Sequence, residues 1–247
     1  MKFLPILLFG LLLSACSHTI NFRASHFAIP VTGEDQWSGH VAATGTSISK
    51  VTVVNDMTSN PPNTSPVRIN ADIDAGDVVG VNYIGFDASL TLFKRLDLIV
   101  DNSLLGLRVQ VLNHGSGPDN WVAAIHGAMG NRDVKNSQES GGNTSEAKSE
   151  VKTTQLGVSV GYKFAAVIPY VSYIHEKHET STRVTNTHGA FGPYENSGTH
   201  QYYSVGITTY QKGLRFGLEY NRIYLDWKNA WDSEWQDAMG AKLGFAW

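Results

Sequence analysis

The feature that most constrains the fold is an alternation in which large apolar residues occupy every second position of many short segments. In the last segment, glycine, lysine and alanine alternate with Met239, Ala241, Leu243, Phe245 and Trp247. The same pattern recurs at residues 82–92, 105–111, 156–164, 203–210 and 214–221. Successive side chains of a strand point to opposite faces, so the alternation predicts a chain built mainly from β-strands.

Strands of this kind fit either a soluble sandwich, whose apolar face points inward, or a membrane barrel, whose apolar face meets lipid. Glycine and serine dominate the second face, which suits a crowded lumen better than a solvent-exposed surface. Charged residues make up 17% of the chain, below the ~25% typical of soluble domains. We therefore predict an all-β fold, a transmembrane antiparallel barrel.

Strands are expected near residues 37–54, 79–92, 95–102, 104–113, 120–130, 152–164, 166–179, 200–211, 213–227 and 235–247. The connections between them alternate in length, and the long ones cover residues 56–78, 131–151 and 180–199. Short periplasmic turns and long external loops are typical of up-and-down barrels in the outer membrane, and about ten strands, with eight to twelve possible, fit residues 37–247. An even number of strands returns both ends of the barrel to the side of the short turns.

The first sixteen residues have the pattern of an export signal. Lys2 precedes an apolar run over residues 3–13, which is too short to cross a bilayer. The tetrapeptide Leu13-Ser14-Ala15-Cys16 resembles the lipobox of bacterial lipoproteins. The resemblance implies cleavage before Cys16 and a covalent lipid on Cys16, with no other cofactor. Residues 1–15 are then a signal peptide, and residues 16–36 are expected to form an acylated periplasmic tether.

The chain ends in a strand that resembles the C-terminal assembly signal of outer-membrane barrels, with Phe245 and Trp247 as its aromatic residues. A terminal Phe is usual there, so Trp247 departs from the pattern. The two resemblances imply an outer-membrane location, and the even strand number predicts that both termini lie in the periplasm. The implied partners are outer-membrane lipid, the barrel-assembly machinery and the lipoprotein-processing machinery.

Aromatic residues concentrate near the predicted strand ends, where amphipathic rings would occupy the headgroup layers. The ring expected at the periplasmic interface consists of Trp121, Tyr162, Phe164, Tyr210 and Trp247. The ring expected at the outer interface consists of Tyr173, Tyr202, Tyr224, Trp227 and Trp235.

Several ionisable residues fall on the predicted inner face: Asp87, Asp97, Arg108, His126, Lys163, Arg215, Glu219 and Lys242. An isolated ion in a narrow lumen is costly, so opposite charges are expected to pair in a network that fills the barrel. The alternative is a constricted polar path for a small solute, lined by Arg215 and Glu219.

No catalytic residue or metal ligand is predicted. His175 and His178 lie three residues apart, so a strand would point them to opposite faces. Gly157-Val-Ser-Val-Gly161 matches a nucleophile motif but lies inside an alternating strand, where the required sharp turn is missing.

The expected function is therefore non-enzymatic, a structural or surface-interaction role in the outer membrane. A narrow channel for small solutes and an outer-leaflet enzyme acting on lipid or peptide remain as alternatives. The net charge of −3, without a basic stripe, argues against a nucleic-acid partner. The sequences of the predicted long loops do not identify an external ligand.

Overall fold

The structure is a computed structural model and describes residues 16–70, 83–115, 117–140 and 143–247. The predicted signal peptide, residues 1–15, lies outside the described residues, as does the start of the predicted strand at 79–92. The regular elements in the described part are strands, and none of these residues forms a helix long and apolar enough to cross a membrane.

Ten strands close into one antiparallel barrel, which confirms the predicted fold class and strand number. The wall strands are β2 (Gly39–Thr46), β5 (Tyr83–Phe93), β6 (Leu96–Asp101), β7 (Leu104–Leu112), β8 (Asn120–Ser140), β9 (Asn143–Lys163), β10 (Val167–Asn186), β11 (Gly189–Thr209), β12 (Gly213–Trp227) and β13 (Glu234–Ala246). Strands pair in chain order from β5 to β13. β2 closes the barrel because it pairs with β13 on one side and β5 on the other.

The predicted strand at 37–54 is interrupted where the chain leaves the wall. β2 ends at Thr46, and the Ser47 N–H donates to the carbonyl of Met239 in β13 at 3.1 Å. The chain then forms β3 (Ile48–Val54) and β4 (Arg68–Asn70). These two strands join β1 (His18–Arg23) in a separate three-stranded sheet of order β1-β3-β4.

The predicted loops at 131–151 and 180–199 are wrong, because the wall strands continue through most of these residues. β8 and β9 pair in unbroken register from Asn120↔Lys163 to Ser140↔Asn143. The outward side chains are polar in the part of this hairpin nearest its turn. Lys135–Glu146 and Lys148–Asp133 form exposed ion pairs there, each at 2.8 Å. Because the outward residues here are polar, the alternation of apolar and polar residues, on which the strand prediction depended, is missing.

The apolar face of the wall points outward, as a membrane barrel requires. On β8 the outward positions run from Trp121 to Met129 as apolar residues or glycine, and from Asn131 onward they are polar. A strand needs about 9–11 residues to cross the hydrocarbon layer, so the apolar band fits one bilayer. Ile84 and Leu214 are exposed by 79% and 71%, values that suit contact with lipid.

The aromatic prediction holds in part. Trp121 and Tyr162 form an outward edge-to-face pair at the lower margin of the apolar band, with ring centroids 5.4 Å apart. At the upper margin, Trp235 contacts Tyr224 on the outer surface. Tyr202 and Trp227 are 0% and 3% exposed and point into the barrel, so their predicted place in the outer ring is wrong.

Candidate functional site

The N-terminal segment runs lengthwise through the barrel lumen. At its upper end, the carbonyl of Cys16 accepts the N–H of Met57 at 2.8 Å, and the Met57 carbonyl accepts Asn186 Nδ2 at the end of β10. At the opposite end, Glu34 lies 3.8 Å from Lys163 at the end of β9. We call residues 18–33 the plug segment. The upper end of the barrel is the end at which the long hairpins β8–β9 and β10–β11 turn, and we call these two the tall hairpins. The lower end is the one with the short turns between strands.

This path corrects two expectations. Residues 16–36 are not a tether outside the barrel, because the plug segment is almost entirely buried within it. Cys16 and Trp247 also lie at opposite ends, since Trp247 pairs with Gly39 at the lower end. Cys16 and Trp247 therefore do not meet at one end of the barrel, as the strand count implied.

The upper part of the plug is held by apolar packing. Ile20 and Phe22 of β1 and Val51 of β3 belong to one buried cluster, together with Ile223 and Leu225 on the inner face of β12. Burial of such side chains is favourable by about 1.5–3 kcal/mol each. The inner face of the barrel wall near its upper end is thus partly apolar, whereas the alternation predicted small and polar residues on this face.

The middle of the plug is held by charge. Arg23 forms a buried ion pair with Asp101 of β6 and donates to Thr44 Oγ1 at 3.2 Å. Tyr202 Oη lies 3.0 Å from the Arg23 carbonyl and 2.9 Å from Glu176 Oε2, and these two acceptors share its one hydroxyl proton. The Nδ1 of His26 lies 2.8 Å from Asp101 Oδ2, so this single carboxylate serves two plug residues.

Glu219 of β12 is the second anchor of the plug. Its Oε1 accepts Ser25 Oγ at 2.7 Å and the backbone N–H groups of His26 and Phe27 at 3.3 and 3.2 Å. Its Oε2 accepts Tyr170 Oη at 2.7 Å. A carboxylate that accepts four donors is fully satisfied without a cationic partner, which explains why burial of its charge is tolerated here.

The wall beside this anchor is built to admit the plug. A Cβ on Gly240 of β13 would lie only 2.7 Å from Ser25 Cβ, so any larger residue there would force the plug away. Phe27 has a positive φ of 48°, and Lys242 Nζ lies 5.3 Å from its ring centroid. Glycine at position 240 thus allows the backbone approach that Glu219 requires.

The lower part of the plug is held by polar contacts. The Thr32 N–H donates to Gln110 Oε1 at 3.0 Å, and the Gly33 N–H donates to Asp97 Oδ1 at 3.3 Å. Asp97 also pairs with Arg108 at 2.6 Å. Below these contacts lies a cavity of about 190 Å³, bordered by the side chains of Glu34, Lys163, Tyr210 and Arg215.

The structure places all the predicted lumen residues on the inner face, but it brings only some of them together. Asp97 pairs with Arg108, and Asp87 pairs with Lys242 at 3.3 Å and also with His40. Arg215 and Glu219 do not pair, because Arg215 donates to the carbonyls of Thr209 and Tyr210. The His126 ring lies against Gly157.

Sequence reasoning missed the plug residues Arg23, Ser25 and His26, their wall partner Asp101, and Glu34, which follows the plug segment. The available signal was the composition of residues 18–31, which mix large apolar residues with Arg and His. An external tether has no surface to bury, so large apolar residues are out of place in one.

The two residues of the predicted assembly signal lie at the lower end of β13. Phe245 faces outward with 56% exposure. Trp247 Nε1 donates to the carbonyl of Trp37 at 2.9 Å, which ties the chain end to the start of β2. Their role in assembly stays a prediction.

Comparison with known proteins gives no family. No protein-family model matches the chain, and no curated protein matches it. Solved structures that match the chain include two bacterial proteins, both at low identity and with TM-scores below 0.5. One is Ail, the attachment invasion locus protein of Yersinia pestis, with 11% identity, coverage of 86% of this chain and 100% of that chain, and a TM-score of 0.37. The other is the outer membrane channel DcaP of Acinetobacter baumannii, with 9% identity, coverage of 94% and 98%, and a TM-score of 0.21.

Proposed function

We propose that this protein is a sealed outer-membrane β-barrel with a non-enzymatic structural or surface-interaction role. The observation that carries the proposal is the plug segment, which occupies the lumen from the tall hairpins to the short turns. The outward apolar band supports a membrane location, and outer membranes are where bacterial barrels of this kind reside. Outer-membrane lipid and the barrel-assembly machinery are then its expected partners.

A sealed lumen favours this function over a channel for small solutes. The plug is held by apolar packing above, by Asp101 and Glu219 in the middle, and by Gln110 and Asp97 below. The lower cavity lies between Glu34 and Arg215, and the plug segment closes the lumen above it. A solute would have to displace the plug in order to pass.

The experiment is single-channel recording of the refolded protein in a planar bilayer. The account predicts a silent bilayer, although the protein runs as a folded, heat-modifiable band on gels. Steady conductance steps from the wild-type protein would overturn the sealed-barrel proposal and favour the channel.

The tall hairpins β8–β9 and β10–β11 are the proposed interaction surface. Their upper halves carry an exposed, polar outer face beyond the apolar band, so they would project outside the cell if the short turns are periplasmic. Trp231, in the β12–β13 connection at the same end, is 79% exposed. Tryptophan is enriched in protein interfaces, which makes this residue a candidate contact for an external partner.

We also propose that Cys16 carries a covalent lipid, on the strength of the lipobox. Cys16 is the only cysteine of the sequence and is partly exposed at the upper end of the lumen. Metabolic labelling with a clickable fatty acid should mark the wild-type protein. If Cys16→Ser retained the label, lipidation at this residue would be disproved.

A further inference from the structure

A cluster of metal-ligand side chains lies inside the barrel, beside the plug. Glu176 and His178 are two residues apart on β10 and therefore share its inner face. His200 of β11 is the register partner of Glu176 across the sheet. One ligand atom from each of the three residues lies within 4.8 Å of the other two. The residues are 2%, 1% and 0% exposed.

Two ring nitrogens that point at Glu176 have no hydrogen-bond partner. His178 Nδ1 is held by Thr153 Oγ1 at 3.0 Å, and its Nε2 lies 3.3 Å from Glu176 Oε2. In the plug segment, His26 Nδ1 is held by Asp101, and its Nε2 lies 3.3 Å from Glu176 Oε1. A histidine that ligates a metal usually has its other nitrogen fixed in this way.

We propose that Glu176, His178 and His200 form a binding site for one divalent transition-metal ion, with Zn²⁺ as the best fit and His26 as an additional ligand. Two or three imidazoles with one carboxylate match the donors that Zn²⁺ prefers, whereas Ca²⁺ and Mg²⁺ prefer sites made of oxygen ligands. Glu176 is kept in place by Gln155 Nε2 at 3.0 Å and Tyr202 Oη at 2.9 Å.

His200 sets a specific condition on this site. Its Nε2 accepts the indole N–H of Trp227 at 3.0 Å. Trp227 is only a donor, so it needs an unprotonated Nε2 with a free lone pair. Ligation through Nε2 uses that lone pair, and ligation through Nδ1 leaves the proton on Nε2. Either mode breaks the bond to Trp227, so the indole reports on occupancy.

A small cavity adjoins the cluster. Its volume is about 50 Å³, and it is lined by Glu176, His178 and His26, and by Asn102 and Ser103 in the turn between β6 and β7. This turn lies far below the tips of the tall hairpins.

The test is titration of the folded, chelator-treated full-length protein with Zn²⁺ by calorimetry, with Co²⁺ as a spectroscopic probe. We expect one ion per chain, the visible absorption of tetrahedral Co²⁺, and a change in tryptophan fluorescence. His178→Gln should weaken Zn²⁺ binding by at least 100-fold. His175→Gln is the matched control on the outer face of the same strand and should bind as the wild type does.

Trp227→Phe provides a second variant that removes no ligand. It frees His200, so it should bind Zn²⁺ at least as tightly as the wild type and should reduce the fluorescence change. The proposal is overturned if the wild type binds no stoichiometric Zn²⁺, or if His178→Gln, confirmed as folded by heat modifiability, binds as tightly as the wild type. If His178→Gln does not fold, a Trp227→Phe protein that loses Zn²⁺ binding overturns it instead.

Discussion

Glu219→Ala is expected to release the middle of the plug segment and to lower the free energy of unfolding by about 3–5 kcal/mol. The substitution leaves Ser25 Oγ, Tyr170 Oη and the N–H groups of His26 and Phe27 buried without their acceptor. Each buried donor without a partner costs roughly 1–3 kcal/mol, and partial relaxation of the plug recovers some of that loss. Urea unfolding in detergent micelles measures the change.

Limited trypsin digestion gives an independent measure of plug release. Arg23 is 9% exposed in the folded protein, so trypsin should not cut there in the wild type but should cut in Glu219→Ala. Glu195→Ala is the matched control, because Glu195 accepts only the exposed hydroxyl of Ser181. A Glu219→Ala protein as stable and as resistant at Arg23 as the control would show that Glu219 does not anchor the plug.

Arg23→Ala is expected to have the second large effect, a loss of about 3–5 kcal/mol, because removal of one partner leaves a charge buried without its ion pair. Asp101 would retain only His26, at 2.8 Å. The vacated volume also weakens the contact between the plug and the wall, so intermittent conductance steps should appear in bilayers that are silent with the wild type.

A double-mutant cycle separates the ion pair from the simple loss of side-chain volume. Arg23→Ala/Asp101→Ala should be less destabilised than the sum of the two single variants, because no unpaired charge remains. Lys148→Ala removes an exposed ion pair with Asp133 and should cost no more than about 1 kcal/mol. Strict additivity of the Arg23 and Asp101 effects would contradict a coupled pair.

The alternation predicted the wall well, for a physical reason. Positions such as Leu214, Phe216 and Leu218 face lipid, and their neighbours face a crowded interior. Each strand therefore alternates large apolar residues with small or polar ones along the part that crosses the membrane. That signal ends where the strands leave the hydrocarbon layer. Beyond Met129 the outer face of β8 is polar, so the pairing that continues to Ser140 has no counterpart in the hydrophobic pattern.

The plug was beyond the reach of the same pattern because its partners are distant in sequence. Ser25 contacts Glu219 across 194 residues, and His18 contacts Ser149 across 131. Inward residues of β12 such as Ile223 and Leu225 are apolar only because β1 and β3 cover them. The metal-ligand cluster was missed for a related reason. The sequence prediction considered His175 and His178, whose side chains point to opposite faces of a strand, whereas Glu176 and His178 share one face.

Hydrogen–deuterium exchange of the folded wild-type protein, read by mass spectrometry, tests the central claim that the N-terminal segment lies inside the barrel. Amides of Ala24, His26, Phe27, Thr32 and Gly33 are all bonded, to the Ser47 carbonyl or to inward side chains of the wall. We predict that peptides covering residues 18–33 exchange as slowly as the wall strands, while the exposed residues 34–36 exchange quickly. Complete exchange of residues 18–33 within seconds would contradict the location of this segment inside the barrel and would support an external tether instead.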